Sequence, residues 1–198
     1  MLLTTGQAAA ELGCAITTFR RLIHAGLLPD LSYRGVRTMV PLHAVQALST
    51  RAAAPIDRLD AKELAVLRVD SARRIDDADR DWIGYGAALE PDDLLKALRG
   101  WWRCDAASVA AGGLLPVTLS GYVVAVLTGL ENWVNNGEGR HAFPEARLAG
   151  HVTDLVAPQI HYTSPRDDDR ELARLLLGTR LASQSGGAIA YVTPLPAD

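Results

Sequence analysis

Glycine and proline cut the first fifty residues into pieces too short for anything but small, closely connected elements. Gly13, Gly26, Pro29, Gly35 and Pro41 fall at intervals that leave room for two short helices, a tight hairpin and one further helix. Thr4-Thr5 supplies a cap for a helix from Gly6 to Leu12, whose apolar face is Ala8, Ala9 and Leu12. Gly13 ends it. After Gly13-Cys14-Ala15 a second helix is expected from Ile16 to about His24, with Phe19, Leu22 and Ile23 on one face at three- and four-residue spacing. Ala15 stands at its N-cap with no side-chain acceptor, so this helix starts without a cap. Ala25-Gly26-Leu27-Leu28-Pro29 reads as a stop and an extended exit. Tyr33-Arg34-Gly35-Val36-Arg37-Thr38 reads as a tight turn flanked by arginine, and a short helix from Leu42 to Leu48 follows Val40-Pro41.

Burying Phe19, Leu22 and Ile23 leaves long donors on the other side of the second helix: Thr17, Thr18, Arg20, Arg21 and His24. Two short helices joined by a three-residue turn, the second presenting such donors, have the layout of a helix-turn-helix whose second helix enters the major groove. Arginine reads guanine O6 and N7, and threonine contacts phosphate or a thymine methyl. The hairpin, carrying Tyr33, Arg34 and Arg37, would lie along the backbone as a wing and add phosphate contacts.

Several linked stretches then resemble one family in order. Leu3-Thr4-Thr5-Gly6-Gln7-Ala8-Ala9, Thr17-Thr18-Phe19-Arg20-Arg21-Leu22-Ile23, Ala25-Gly26-Leu27-Leu28-Pro29 and Val40-Pro41-Leu42 are similar to the excisionase and MerR type of winged helix-turn-helix. The resemblance covers about the first quarter of the chain and implies a double-stranded DNA partner. The wing is less basic than that family's usual one, with Val36, Thr38 and Met39 where arginine or histidine is common.

Charge divides at the same place. The net charge is −3, yet residues 1–51 carry five arginines against Glu11 and Asp30, a balance of +3 that leaves −6 for the remainder. Ser49 to Pro55 reads as a short linker, giving an expected domain of residues 1–50 and a second of 56–198. Beyond Ile56 the texture is α+β: strands at Leu64–Val69, Leu115–Leu119 and Tyr122–Leu127, the last two joined by a Ser120-Gly121 hairpin signal. Helices are expected at Pro91–Leu98 and at Asp167–Leu177, the latter with Ser164 as a cap.

All four tryptophans fall between Trp82 and Trp133, and Trp101-Trp102 sits within Arg99-Gly100-Trp101-Trp102-Arg103. The order helix, Gly-Trp-Trp-Arg, helix, strand, Ser-Gly, strand, Trp, Arg-x-x-Phe resembles PUA-like domains of the ASCH and EVE kind, small β-barrels whose relatives, the SRA domain among them, hold RNA or modified DNA bases. On that resemblance Trp101, Trp102, Arg103, Tyr122, Trp133 and Arg140 line a base pocket, and a modified cytosine is a candidate ligand. Read from the residues alone, the same aromatics equally suit a core.

The expected fold is therefore α+β, a winged helix-turn-helix joined to a small PUA-like barrel. No apolar run approaches the roughly 20 residues of a bilayer span, no secretory leader pattern is present, and Cys14 and Cys104 are too few for a disulfide framework. These features fit a cytoplasmic protein. None of the five histidines has metal-ligand spacing, Ser120 lacks the glycine of a nucleophile elbow, and Pro91-Asp92-Asp93 lacks the Glu-x-Lys of a nuclease site. Cys104 beside Arg103 has no matched base. A binding protein with no cofactor is expected. Alternatives are a transcriptional regulator whose second domain binds a small effector, and an antitoxin or adaptor whose acidic domain docks a protein. The oligomeric state is open.

Overall fold

The computed structural model describes residues 1–59, 61–184 and 186–193. In chain order it contains β1 (Leu2–Thr4), α1 (Thr5–Leu12), α2 (Ile16–His24), β2 (Ser32–Arg34), β3 (Arg37–Pro41) and α3 (Leu42–Ser49). A short 3-10 turn (Ile56–Arg58) leads to β4 (Leu64–Arg68), β5 (Arg73–Arg74), β6 (Trp82–Ile83), α4 (Pro91–Leu98) and α5 (Ala106–Gly112). The chain continues through β7 (Leu114–Leu119), β8 (Tyr122–Thr128), β9 (Val134–Asn135), β10 (His141–Ala142), β11 (Arg147–Asp154), β12 (Gln159–Tyr162), α6 (Asp167–Leu176) and β13 (Ile189–Val192). The architecture is mixed α+β. No helix among the described residues is long and apolar enough to cross a membrane.

The local signals of the first fifty residues act as expected. Thr4 caps α1 reciprocally: its Oγ1 accepts from the Gln7 N–H at 3.3 Å while Gln7 Oε1 accepts from the Thr4 N–H at 2.9 Å. Gly13 closes α1 at φ 72°, a left-handed conformation that lets the chain reverse into α2 within three residues. The N-cap of α2, Ala15, makes no side-chain hydrogen bond. The hairpin β2–β3 pairs Ser32 with Met39 and Arg34 with Arg37, and β1 adds to β3 to give a three-stranded sheet in the order β1-β3-β2.

The larger sheet has the order β12-β11-β8-β7-β4-β13, antiparallel except between β4 and β7. That parallel pair requires a crossover, which β5, β6, α4 and α5 provide. Ser120-Gly121 makes the expected two-residue turn of β7–β8, both residues having positive φ. Every residue of β7 and β8 is buried, which explains their continuous apolar run. The six strands form an open order, with β12 and β13 at its edges.

The first fifty residues are seated on this sheet rather than tethered beside it. One apolar cluster runs from Leu3 through Phe19, Leu22, Leu27 and Leu48 into Tyr85, Val124 and Leu155. Backbone bonds cross the seam, Leu155 N–H to Leu27 O at 3.0 Å and Ala87 N–H to Ala25 O at 2.8 Å. The segment read as a linker is itself tied down, since Arg180 exchanges backbone bonds with Ala52 and Ala54, both at 2.8 Å.

Two buried polar groups govern stability in the sheet. Asp169, at the start of α6, accepts from Arg147 Nε at 3.0 Å and from Ser164 Oγ at 2.6 Å. Ser164 thus serves the carboxylate; the N-cap position of α6 is Arg166 and has no side-chain bond. Burial works to raise the Asp169 pKa, but the bonds from Arg147 and Ser164 outweigh it and hold the carboxyl below its ordinary range. His151 on β11 is buried with its ring stacked 5.1 Å from His161. Burial first, and His161 second, push its pKa down to about 4.

Asp169→Asn leaves the Arg147 guanidinium without its anion; because Arg147 is half open to water, the expected cost is about 2 kcal/mol in urea unfolding. For His151 the unfolded chain takes up a proton near pH 6.5 that the folded chain refuses until about pH 4, so stability is full above pH 6.5 and declines below it. Between pH 7.5 and pH 5 the wild-type protein should lose about 2 kcal/mol more than His151→Gln. Equal losses in the two proteins would show that His151 does not carry the acid response.

Candidate functional site

Helix α2 has three sides with different fates. Phe19 and Leu22 are fully buried. Thr17, Arg20 and His24 are exposed on the side away from the large sheet. Thr18 and Arg21 turn toward the sheet instead: Ser120 Oγ donates to Thr18 O at 2.8 Å, and Arg21 Nε lies 3.3 Å from Asp70 Oδ1.

The exposed side of α2 forms one wall of an open groove of about 280 Å³. Arg20, Ile23 and His24 line it from α2, Thr5 and Gly6 from the start of α1, and Arg37 with Thr38 from β3. Neither Arg20, Arg34 nor Arg37 pairs with a carboxylate among the described residues. Arg34 and Arg37 are direct cross-strand partners at the mouth of the hairpin turn, both exposed. Like charges placed opposite one another destabilise a hairpin in water and are relieved by a polyanion. Tyr33 is 71% exposed beside them, and Val36 at the tip is fully exposed. An apolar tip flanked by free guanidinium groups is suited to lying against a charged, ridged surface.

Of the eight residues assigned to this face from the sequence, Arg20, His24 and Arg37 meet in the groove, while Thr17, Tyr33 and Arg34 lie on the same exposed elements. Thr18 and Arg21 point elsewhere. Thr5, Gly6 and Thr38 join the groove without having been singled out. Their sequence signal was structural, as cap and turn residues, and only the packing of α1 against α2 makes them part of a surface.

The six residues assigned to a base pocket do not share one cleft. Trp102 is buried, its indole N–H donating to Leu98 O at 2.8 Å and its ring lying 5.8 Å from the Arg80 guanidinium. Tyr122 is buried on β8 and donates its hydroxyl to Leu48 O at 3.2 Å, fastening the end of α3. Trp101 lines a different, shallow groove of about 220 Å³ with Lys96, Arg99 and Val134. Arg140 reaches the Trp101 carbonyl only at 3.5 Å, and Arg99 donates to Pro144 O at 3.1 Å. Trp133 is 41% exposed, and Arg103 is exposed. The groove is narrow because Ala142 presses on Gly100 so closely that any side chain there would collide with it.

Arg80 escaped the sequence reading. Buried beside Trp102, it donates to Gly100 O and pairs with Asp77 at 3.2 Å, which makes it a strut for the Trp101 loop. Among the described residues no three His, Cys, Asp or Glu side chains gather as a metal site. Burial, with Asp105 adding to it, pushes the Cys104 thiol up to about 11, so the neighbouring Arg103 does not activate it. No family model, curated protein or solved structure matches the chain.

Proposed function

We propose that this protein binds double-stranded DNA through the face formed by α2 and the β2–β3 hairpin, with the first fifty residues acting as a winged helix-turn-helix of the excisionase and MerR type. The observation that carries the reading is the groove in which Arg20, His24 and Arg37 converge without carboxylate partners, next to the opposed pair Arg34 and Arg37. In this reading α2 enters the major groove with Thr17 and Arg20 toward base edges, and the hairpin follows the backbone with Arg34 and Arg37 on phosphates. The charge balance of +3 over residues 1–51 supports it, since an acidic remainder keeps a duplex from settling elsewhere on the chain.

Arg21 contributes less than its sequence neighbour in this reading, because Asp70 already neutralises it. The double variant Arg20→Ala/Arg37→Ala should weaken duplex binding about tenfold or more and flatten the slope of log K against log salt by about 2, one counterion for each lost phosphate contact. Arg21→Ala should change both quantities far less. Fluorescence anisotropy at several salt concentrations reads both. No complex with any duplex at low ionic strength, or an unchanged double variant, overturns the reading. Equal affinity for unmodified and 5-methylated duplexes removes a modified-base role for the second part of the chain while leaving the duplex face intact.

A further inference from the structure

On the opposite side of α2 from that groove lies a second, larger cleft, of about 480 Å³, between the helix and one end of the large sheet. Its walls come from four places in the chain: Thr18 and Arg21 on α2, Arg68 and Asp70 at the end of β4, Thr118 and Ser120 at the end of β7, and the Ser183–Ala188 stretch. The size suits a small metabolite. The lining carries no aromatic ring and is dominated by hydroxyls, guanidinium groups and backbone, which disfavours an apolar ligand and favours one that accepts many hydrogen bonds.

Charge narrows the class further. The Asp70 carboxylate is already engaged, its Oδ1 accepting from the Ser71 N–H at 2.8 Å and lying 3.3 Å from Arg21 Nε. Arg68 has no carboxylate partner among the described residues; its side chain makes a single bond, Nη1 to Gln184 O at 3.0 Å, which leaves most of its donors for a ligand. The cleft is therefore cationic by one guanidinium at its floor and lined by hydroxyls around it. We propose that it is a binding site for a small sugar phosphate, with the phosphate monoester on Arg68 and Arg21 and the sugar hydroxyls against Thr18, Ser183 and the Gly186-Gly187 backbone. Arginine pairs bidentately with phosphate oxygens, and a second guanidinium is recruited if Arg21 turns from Asp70.

This site stands independently of the duplex reading, because its ligand is measured on the free protein. Isothermal titration of the full chain with ribose 5-phosphate should give saturable binding below about 1 mM, and ribose should give none. Arg68→Met should weaken the phosphate about tenfold. Asp70→Asn, at a side chain 64% exposed and so of little consequence for folding, should tighten it several-fold by freeing Arg21 and removing a like charge. No saturable binding, ribose binding as well as its phosphate, or an Asp70→Asn protein with unchanged or weaker affinity each overturns the proposal, even if Arg68→Met fails to fold.

Discussion

Helix α2 is shared between two bodies of structure, and that sharing fixes what the rest of the molecule can present. Its inner residues, Phe19 and Leu22, complete the core of the first fifty residues, while the chain leaving it, through Ala25, Leu27 and Leu28, continues the same apolar cluster into the sheet. The ion pair between Arg21 and Asp70 does little to hold this arrangement, since both side chains are about half exposed and such pairs are worth about 0–1 kcal/mol. Orientation rests on the buried seam and on the backbone bonds from Leu155 and Ala87, which have no water to exchange with once the seam closes. A helix held in this way has only one free side. Thr17, Arg20 and His24 occupy it.

The same seating explains how a chain with net charge −3 keeps a cationic face. Acidic residues of the larger part are consumed locally: Asp169 by Arg147, Asp77 by Arg80, Asp167 by Arg170, and Asp70 by Arg21. The hairpin lies on the far side of α2 from Asp70, where its arginines find no such partner among the described residues. At physiological salt, charges more than about 8 Å apart through water are largely screened, so the local surplus matters more than the total. Separation of charge by packing, rather than composition, creates the surface.

Local structure was legible in the sequence where punctuation and periodicity act over a few residues. The bounds of α2 and α4, the Ser120-Gly121 turn and the hairpin around Gly35 follow from caps, breakers and spacing that need no tertiary partner. What escaped was set by contacts distant in sequence. β1 is a strand only because β3 lies beside it, and the Ser49–Pro55 stretch is fixed only because Arg180 returns to it. Trp102 and Tyr122 belong to the core for the same reason: each indole or phenol has an apolar body and one donor, and Leu98 O and Leu48 O satisfy those donors internally. Sequence alone could not choose between stacking on a base and packing on a strand. Arg21 illustrates the limit most sharply, because helical spacing places it beside Arg20 and only the position of Asp70 sends the two in different directions.

That divergence gives α2 two chemically distinct sides joined by a rigid backbone. On one side free guanidinium groups face an open groove; on the other Thr18 and Arg21 line a hydroxyl-rich cleft against the sheet. A change in what Arg21 pairs with alters the electrostatics of the helix within one turn of Arg20, over a distance too short for full screening. Thr18 reports on the same cleft through its carbonyl, which holds Ser120 at a turn whose left-handed backbone allows little adjustment. Any molecule entering the cleft must therefore act on α2 itself rather than on a loop that could absorb it. The helix is the one element through which both surfaces are coupled, and its burial at Phe19 and Leu22 makes that coupling a matter of tilt and side-chain pairing, with no unfolding required.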